Sequence, residues 1–252
     1  MDYLLIAIPT DFYLNPYWFY KNVDMYFLPQ DNLTSNHLKW KVTPNKLCVT
    51  GIPILPEFSK SKDKSYLKKK WQVKNNLFTI LVMGGGEGLG PIEDAVLAFK
   101  EISFPLQVLV VTGINRNLKR NLDKISPKLN FPLKVWGYVR EIDELMEISD
   151  LLISKPGGLT TAEALSKGLP MIVLDSITGQ EMRNKKLLLE KDLAFNLGNK
   201  EEIVSIVSRC INDGFDRNLW RKRAKELSRP NASWEIVHKI VEMTRKVSYK
   251  KQ

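Results

Sequence analysis

Cysteine is scarce in this chain: its 252 residues include Cys48 and Cys210 and no others. Two isolated cysteines provide neither the ligand spacing of a zinc site nor a disulfide framework. We therefore predict no metal site, and the scarcity favours a reducing, cytosolic setting.

Long apolar runs are missing as well. No stretch approaches the ~20 residues that a transmembrane helix needs. The start of the chain is apolar but short, and Asp2 stands where a signal peptide carries positive charge. The sequence therefore predicts that residues 3–8 form a buried strand and not a targeting segment.

Negative charge is in deficit, with 38 Lys and Arg against 28 Asp and Glu and a net charge of +10. This excess favours an anionic partner such as a phosphorylated ligand, an acidic membrane surface or nucleic acid. No nucleic-acid-binding motif is present, so nucleic acid is not expected. Basic residues cluster at 60–70 and 245–251. Each cluster is either a solvated face or a contact with an anionic bilayer.

Strands and helices alternate from residue 46 to about residue 230. This alternation predicts right-handed βαβ units and an α/β protein with a Rossmann-like, doubly wound parallel sheet. Residues 1–45 are too few for a domain and are interpreted as a strand and loop without the rest of their sheet. Residues 231–252 are predicted to form a C-terminal helix with a basic tail.

A first glycine-rich turn, Gly84-Gly85-Gly86-Glu87-Gly88-Leu89-Gly90, follows the predicted strand 78–83. Glycines let the backbone approach an anion closely, and the helix that follows contributes its dipole. The turn matches neither a Walker loop nor a dinucleotide fingerprint. A tight turn without a ligand is the alternative.

A second turn, starting at Lys155-Pro156-Gly157-Gly158, opens another helix after the predicted strand 151–154. Thr160 and Thr161 add hydroxyl groups, and Glu163 would lie about one turn into the helix. A carboxylate there suits the two hydroxyl groups of a ribose. Alternatively, Glu163 only complements the helix dipole.

The two turns together indicate more than either alone. Ligands of a doubly wound sheet bind beyond the carboxyl ends of its strands, where both turns would lie. Two helix N-termini at one edge suit a nucleoside diphosphate sugar. Thr178-Gly179-Gln180-Glu181 would lie at the same edge, where Gln180 and Glu181 either hydrogen-bond sugar hydroxyls or cap the next helix.

As an ordered set, these motifs resemble the C-terminal domain of the diacylglycerol glycosyltransferase and monogalactosyldiacylglycerol synthase-like family. The peptidoglycan lipid-intermediate N-acetylglucosaminyltransferase (MurG-like) is a more distant relative. Further segments carry the resemblance: Gly137-Tyr138-Val139, Leu159-Thr160-Thr161-Ala162-Glu163-Ala164, Asn184, Thr10-Asp11-Phe12 and Gly51-Ile52-Pro53.

The resemblance implies the two-domain GT-B arrangement, with a lipid-acceptor domain followed by a UDP-sugar domain. Residues 1–45 would be a remnant of the acceptor domain with the interdomain linker, and residues 46–230 the donor domain. UDP-glucose or UDP-galactose would be the donor and diacylglycerol the acceptor, at the inner face of an anionic membrane, with no cofactor or metal. Val139 would meet the uracil through its backbone, Glu163 the ribose, and Gln180 and Glu181 the donor sugar. The phosphates would be met by the residues of the two turns: Gly84, Gly85, Gly86, Glu87, Gly88, Gly157, Gly158, Leu159 and Thr160.

The family mechanism is an inverting displacement that needs a base. Relatives often carry His where this chain has Asn15, and an amide cannot act as a base. Asp11 is then the candidate base, although it is equally well explained as a cap of the turn that contains it.

Four hypotheses follow. The chain is a hexosyltransferase, a donor-binding half that needs a separate acceptor subunit, a truncated inactive homologue, or a UDP-sugar epimerase on the same fold. The resemblance to transferase motifs favours the first.

Overall fold

The computed structural model describes residues 3–31, 33, 41–174, 179–197, 200–212 and 215–249. Within these ranges the strands form two parallel sheets. The small sheet contains β1 (Ile6–Ala7), β2 (Met25–Leu28) and β3 (Leu47–Val49). The large sheet contains β4 (Phe78–Met83), β5 (Leu106–Val111), β6 (Leu133–Trp136), β7 (Leu151–Ser154), β8 (Met171–Val173) and β9 (Phe195–Asn196).

The helices of the described ranges mostly connect these strands. They are α1 (Lys64–Lys70), α2 (Ile92–Ala98), α3 (Arg116–Ile125), α4 (Ile142–Ile148), α5 (Gly158–Lys167), α6 (Gly179–Glu190), α7 (Lys200–Ile211), α8 (Arg217–Leu227) and α9 (Ala232–Tyr249). Short 3-10 turns lie at Pro16–Trp18, Pro44–Lys46, Pro56–Ser59, Phe99–Glu101 and Ser126–Lys128.

The large sheet is doubly wound. Its strand order is β6-β5-β4-β7-β8-β9, with every pair parallel. Successive strands are therefore added in one direction from β4 to β6 and in the opposite direction from β7 to β9. Such a switch point, here between β4 and β7, creates a crevice at the carboxyl ends of the strands. The predicted Rossmann-like α/β fold is confirmed, and the two glycine turns follow the two strands that flank the switch.

Both faces of the large sheet are buried, because successive side chains of each strand point to opposite sides. In β4, Ile80 and Val82 pack in one apolar cluster with α2, while Leu81 and Met83 pack in another with α4. Parallel strands covered on both faces read as continuous apolar runs. The central strands therefore form a fixed platform for the turns at their ends.

The small sheet differs from expectation in two places. A buried strand was predicted at residues 3–8, but the strand of the structure is only Ile6–Ala7. It is half-buried because it pairs with β2 alone. Tyr3 remains exposed. The alternation of strands and helices from residue 46 was expected to belong to the large sheet, but its first strand, β3, pairs with β2 and completes the small one. The chain therefore enters the large sheet at β4.

The last helix belongs with the small sheet. Ile236 of α9 packs on Met25 and Phe27 of β2. Trp234 and Val237, on the other side of the helix, are 63% and 54% exposed. The end of the predicted basic tail, residues 250–252, lies outside the described residues.

One strand was missed. Phe195–Asn196 adds β9 to the edge of the large sheet, where it pairs with β8. Two residues without an apolar run leave no periodicity that could reveal a strand.

The loop after β1 joins the two sheets. Gly158, at the start of α5, lies so close to this loop that a Cβ there would be 1.9 Å from the carbonyl oxygen of Thr10. Asn184 of α6 is fully buried beside it, accepts a hydrogen bond from the Phe12 N–H at 3.1 Å, and donates to the Pro156 carbonyl at 3.0 Å. The N-terminal loop is thereby fixed against the second glycine turn.

This close approach predicts a stability effect specific to one of two neighbouring glycines. Gly158→Ala should lower the free energy of unfolding by about 1–3 kcal/mol, because its methyl group has no room against Thr10. Gly157→Ala is the matched control, since a Cβ at Gly157 meets nothing within 4 Å. Urea unfolding of the three proteins measures the difference. Equal midpoints for the two variants would contradict this packing.

Candidate functional site

The first glycine turn is closed by its own backbone. The Gly88 N–H donates to the Gly85 carbonyl at 3.2 Å, and the Leu89 N–H donates to the Gly84 carbonyl at 3.0 Å. Gly88 has φ +61°, and a Cβ there would lie 2.1 Å from the Thr112 carbonyl oxygen. In the part of the chain that the structure describes, the N–H groups of residues 85, 86 and 87 have no hydrogen-bond partner. These three amides remain available to an anion.

The second turn presents the N-terminus of α5. Gly157 is the N-cap, with φ −65° and ψ 143°, and no side chain caps the helix. The amides of Gly158, Leu159 and Thr160 have no partner among the described residues, and the first bonded amide of the helix is that of Thr161. Unpaired amides and the positive end of the helix dipole favour a negatively charged ligand here.

A cavity of about 330 Å³ lies between the two turns. This volume is at the lower end of the range typical of small-molecule sites. Six predicted site residues line it: Gly85, Gly86, Val139, Leu159, Thr160 and Glu163. Neither backbone polar group of Val139 has a hydrogen-bond partner within the described ranges, so both can pair with a ligand. The structure therefore brings together residues from three separate motifs.

Glu163 lines this cavity and has a carboxyl group with a raised pKa. Burial and, to a smaller extent, the nearby charge of Asp143 together raise the pKa of its carboxyl group to about 7. Asp143 on α4 is itself buried and lies 2.6 Å from the Lys62 ammonium. Glu163 is therefore poised between its neutral and charged forms near neutral pH.

Other predicted residues lie away from the cavity wall. Glu87 is exposed on the first turn, and Gly84 and Gly88 are buried by close backbone packing. Gln180 and Glu181 lie in the first turn of α6, where Glu181 forms a 2.9 Å ion pair with Lys155. Residue 178 falls outside the described residues.

The candidate base Asp11 lies in the loop that packs on α5. Its Oδ1 accepts a hydrogen bond from Asn184 Nδ2 at 2.9 Å. The same Asn184 group donates to Pro156 in the second turn, so Asp11 is held next to this turn. Asn15, which replaces the expected His, caps the turn at Pro16–Trp18 by accepting from the Tyr17 N–H.

Eight lining residues were not predicted as site residues: Leu55, Phe58, Met83, Val111, Gly113, Tyr138, Arg140 and Ile142. Leu55 and Phe58 follow the Gly51-Ile52-Pro53 segment, whose place beside the large sheet only the folded chain reveals. Tyr138 and Arg140 flank Val139, and this adjacency was the available signal.

The basic cluster at 60–70 has a partly structural role. Lys62 pairs with Asp143 and Glu144, and Lys70 lies 2.6 Å from Glu144 Oε2. The indole N–H of Trp71 also donates to Glu144. These contacts hold α1 against α4, the helix that follows the Val139 loop. The cluster therefore has a structural role in addition to any contact with solvent or a bilayer.

Among the residues that the structure describes, no group of three or more His, Cys, Asp or Glu side chains lies close enough together to hold a metal ion. Within the same ranges, none of the helices has the length and apolar character needed to span a membrane.

Comparison with known proteins identifies the family. The profile of the glycosyltransferase family 28 C-terminal domain matches residues 79–236, which include both glycine turns and most of the residues that line the cavity. The chain belongs to this glycosyltransferase family. A second profile, monogalactosyldiacylglycerol (MGDG) synthase, matches residues 2–54. The predicted family resemblance is confirmed.

Two curated relatives of this family 28 chain show how much of a longer protein it spans. It is 31% identical to the processive diacylglycerol beta-glucosyltransferase of Bacillus subtilis, over 97% of this chain and 64% of the relative. It is 32% identical to the chloroplastic monogalactosyldiacylglycerol synthase of Spinacia oleracea, over 94% of this chain and 47% of the relative. The chain therefore spans less than two thirds of the length of these relatives.

Solved structures confirm the fold. Acinetobacter baumannii MurG aligns with a TM-score of 0.68 and 15% identity, over 95% of this chain and 67% of that one. The UDP-GlcNAc 2-epimerase of Neisseria meningitidis, bound to UDP-GlcNAc, aligns with a TM-score of 0.64 and 18% identity, over 87% and 61%. Because transferases and epimerases both appear, the fold alone does not select the reaction.

The perturbed Glu163 predicts a pH-dependent stability. A carboxyl group whose folded-state pKa is raised binds its proton more tightly when folded. The free energy of unfolding should therefore fall as pH rises from about 4.5 to about 7, and level off above. The Glu163→Gln variant lacks this titrating group. The difference between its free energy of unfolding and that of the wild type should therefore rise by about 2 kcal/mol from pH 5 to pH 8.

Urea unfolding at several pH values measures this effect. Glu87→Gln, which removes an exposed carboxylate from the facing turn, is the matched control. A gain of the same size in both variants would show that the effect comes from net charge and not from the partly buried position of Glu163.

Proposed function

We propose that this chain supplies the UDP-sugar site of an inverting glycosyltransferase that transfers glucose or galactose to diacylglycerol at the cytoplasmic face of an anionic membrane. The observation that carries the proposal is the cavity between two turns with unpaired amides, with Glu163 on its wall. Relatives named as diacylglycerol glucosyltransferase and monogalactosyldiacylglycerol synthase support the choice of sugar and acceptor.

The lining residues suggest one orientation for the donor. The uracil pairs with the free backbone groups of Val139, and the ribose lies against Glu163. The diphosphate then lies between the amides of residues 85–87 and those at the start of α5. This places the sugar near Gln180 and Glu181, beyond the cavity mouth.

The reaction is a single displacement. The acceptor hydroxyl oxygen forms a bond to the anomeric carbon as the bond from that carbon to the phosphate oxygen breaks. UDP leaves with the electron pair, and the hydroxyl proton passes to a base, for which Asp11 is our candidate. The unpaired amides stabilise the charge that develops on the leaving diphosphate, which is the type of stabilisation that contributes most in such sites.

Binding of the ribose by Glu163 can be tested with a ligand that lacks one hydroxyl. At pH 8, where Glu163 is charged, the wild type should bind UDP about 10- to 100-fold more tightly than 2′-deoxy-UDP, because a hydrogen bond to a charged group is lost. In Glu163→Gln this preference should shrink towards one. Isothermal titration calorimetry measures the four affinities.

The four affinities separate two kinds of failure. No UDP binding to the wild type would overturn the donor-site proposal. An equal preference for UDP in both proteins would retain the site but remove Glu163 from the ribose.

A second candidate function is a donor-binding half that requires a separate acceptor half. The observation in its favour is the apolar surface of α9, where Trp234, Val237 and Val241 are exposed beside the three-stranded sheet. Contiguous exposed apolar residues mark interaction sites when they form a patch. In this alternative, the acceptor half covers this surface and supplies the lipid site.

A transfer assay tests the candidate base and the second candidate together. Labelled UDP-glucose or UDP-galactose is incubated with diacylglycerol in anionic vesicles, with and without the N-terminal region of the Bacillus subtilis relative. Asp11→Asn should lower the rate of transfer by about 10²- to 10⁴-fold, the usual contribution of a general base. Asp123→Asn, at an exposed ion pair on α3, is the matched control.

Each result has one interpretation. Transfer by the chain alone supports the hexosyltransferase, and transfer only with the added region supports the donor-binding half. UDP binding without transfer in either arm indicates an inactive homologue. Conversion of the donor sugar without a lipid product indicates an epimerase. An unchanged rate in Asp11→Asn excludes Asp11 as the base.

A further inference from the structure

Lys155 is a charged residue next to the site and has no part in the reaction proposed above. It follows β7 directly and opens the second glycine turn. Its Nζ lies 2.9 Å from Oε1 of Glu181 in the first turn of α6. The two side chains are 26% and 13% exposed, so the pair is largely shielded from water. A shielded ion pair is screened less than one on the surface.

Lys155 also reaches the first glycine turn. A Cβ on Gly85 would lie 3.1 Å from Lys155 Cε and 3.9 Å from Nζ. Gly85 lines the cavity and has φ +69°, a conformation that side chains rarely adopt. The ammonium group therefore lies at the edge of the cavity, where the first turn, the second turn and α6 meet.

The charge of the ligand gives this position a function. A diphosphate diester carries two negative charges, whereas unpaired amides and a helix terminus offer only partial positive charges. A lysine ammonium has three donors. In the part of the chain that the structure describes, Glu181 is its one partner, and two donors remain for oxygens of a ligand.

We propose that Lys155 binds the diphosphate of the donor and stabilises the leaving group, and that Glu181 positions it. This inference rests on the proposed function. As the bond to the anomeric carbon breaks, its electron pair moves onto the phosphate oxygen, and the ammonium neutralises the added charge without transferring a proton. Glu181 restrains the lysine side chain before the ligand arrives, which lowers the entropy lost on binding.

The test compares ligands with and without the diphosphate. Affinities for uridine, UDP and UDP-glucose are measured by calorimetry for the wild type, Lys155→Met, Lys155→Arg, Glu181→Gln and Lys191→Met. Lys191 is an exposed residue just after α6, and its variant removes the same charge at a distance from the site. Urea unfolding of each variant checks that it is folded.

Lys155→Met should bind UDP and UDP-glucose about 10- to 100-fold more weakly, with its affinity for uridine unchanged, because only the diphosphate contacts the ammonium. Lys155→Arg should recover most of the loss. Glu181→Gln should lose less than Lys155→Met, since the positive charge remains. Lys191→Met should behave as the wild type.

The results distinguish the inference from the function on which it rests. If the wild type binds no UDP, the proposed function fails and this inference fails with it. If the wild type binds UDP and Lys155→Met binds it equally well, only the role of Lys155 is overturned. If Lys155→Met loses affinity for uridine and for UDP by the same factor, the role of Lys155 is also overturned. That result would show that the ion pair only supports the loop. If Lys155→Met does not fold, an unchanged UDP-to-uridine affinity ratio in Glu181→Gln would still overturn the positioning role.

Discussion

The candidate site depends on the pairing of β4 with β7. These two strands are hydrogen-bonded in parallel from Ile80 with Leu151 to Met83 with Ser154. Because the register is fixed over four residue pairs and both strands are buried, the turns that follow them begin side by side. Parallel pairing therefore converts two glycine segments separated by some seventy residues of sequence into the two walls of one cavity.

The groups around the cavity determine which ligand it suits. Its wall contains a carboxyl group, Glu163, whose pKa burial raises to about 7, next to the charge of Asp143. The two glycine turns offer unpaired amides, and the Lys155 ammonium lies close to Gly85 of the first turn. A ligand that carries neutral hydroxyl donors as well as negative charge matches this arrangement, whereas a uniformly anionic ligand would place negative charge against Glu163.

The sequence predicted the parts of this site that depend on local chemistry. The two glycine turns and Glu163 were identified because turn residues and helix starts have local signals. Val139 was predicted only from the family resemblance. The sequence could not predict which glycines serve packing. Gly158 approaches the Thr10 carbonyl, a contact between residues about 150 positions apart in the chain, and Gly88 approaches the Thr112 carbonyl. Nor could it predict that the apolar strand at 47–49 pairs with β2, since periodicity identifies a strand but not its neighbour.

Asn184 shows why the small sheet matters to the site. Its amide group is buried and bonds to the second turn at Pro156 and to the N-terminal loop at Asp11 and Phe12. A buried amide that loses one of these partners would leave an unsatisfied polar group, which costs about 1–3 kcal/mol. Movement of the N-terminal loop relative to α5 is therefore opposed by this network as well as by the packing of Gly158. The position of Asp11 next to the second turn is consequently a property of the fold itself, established before any acceptor is bound.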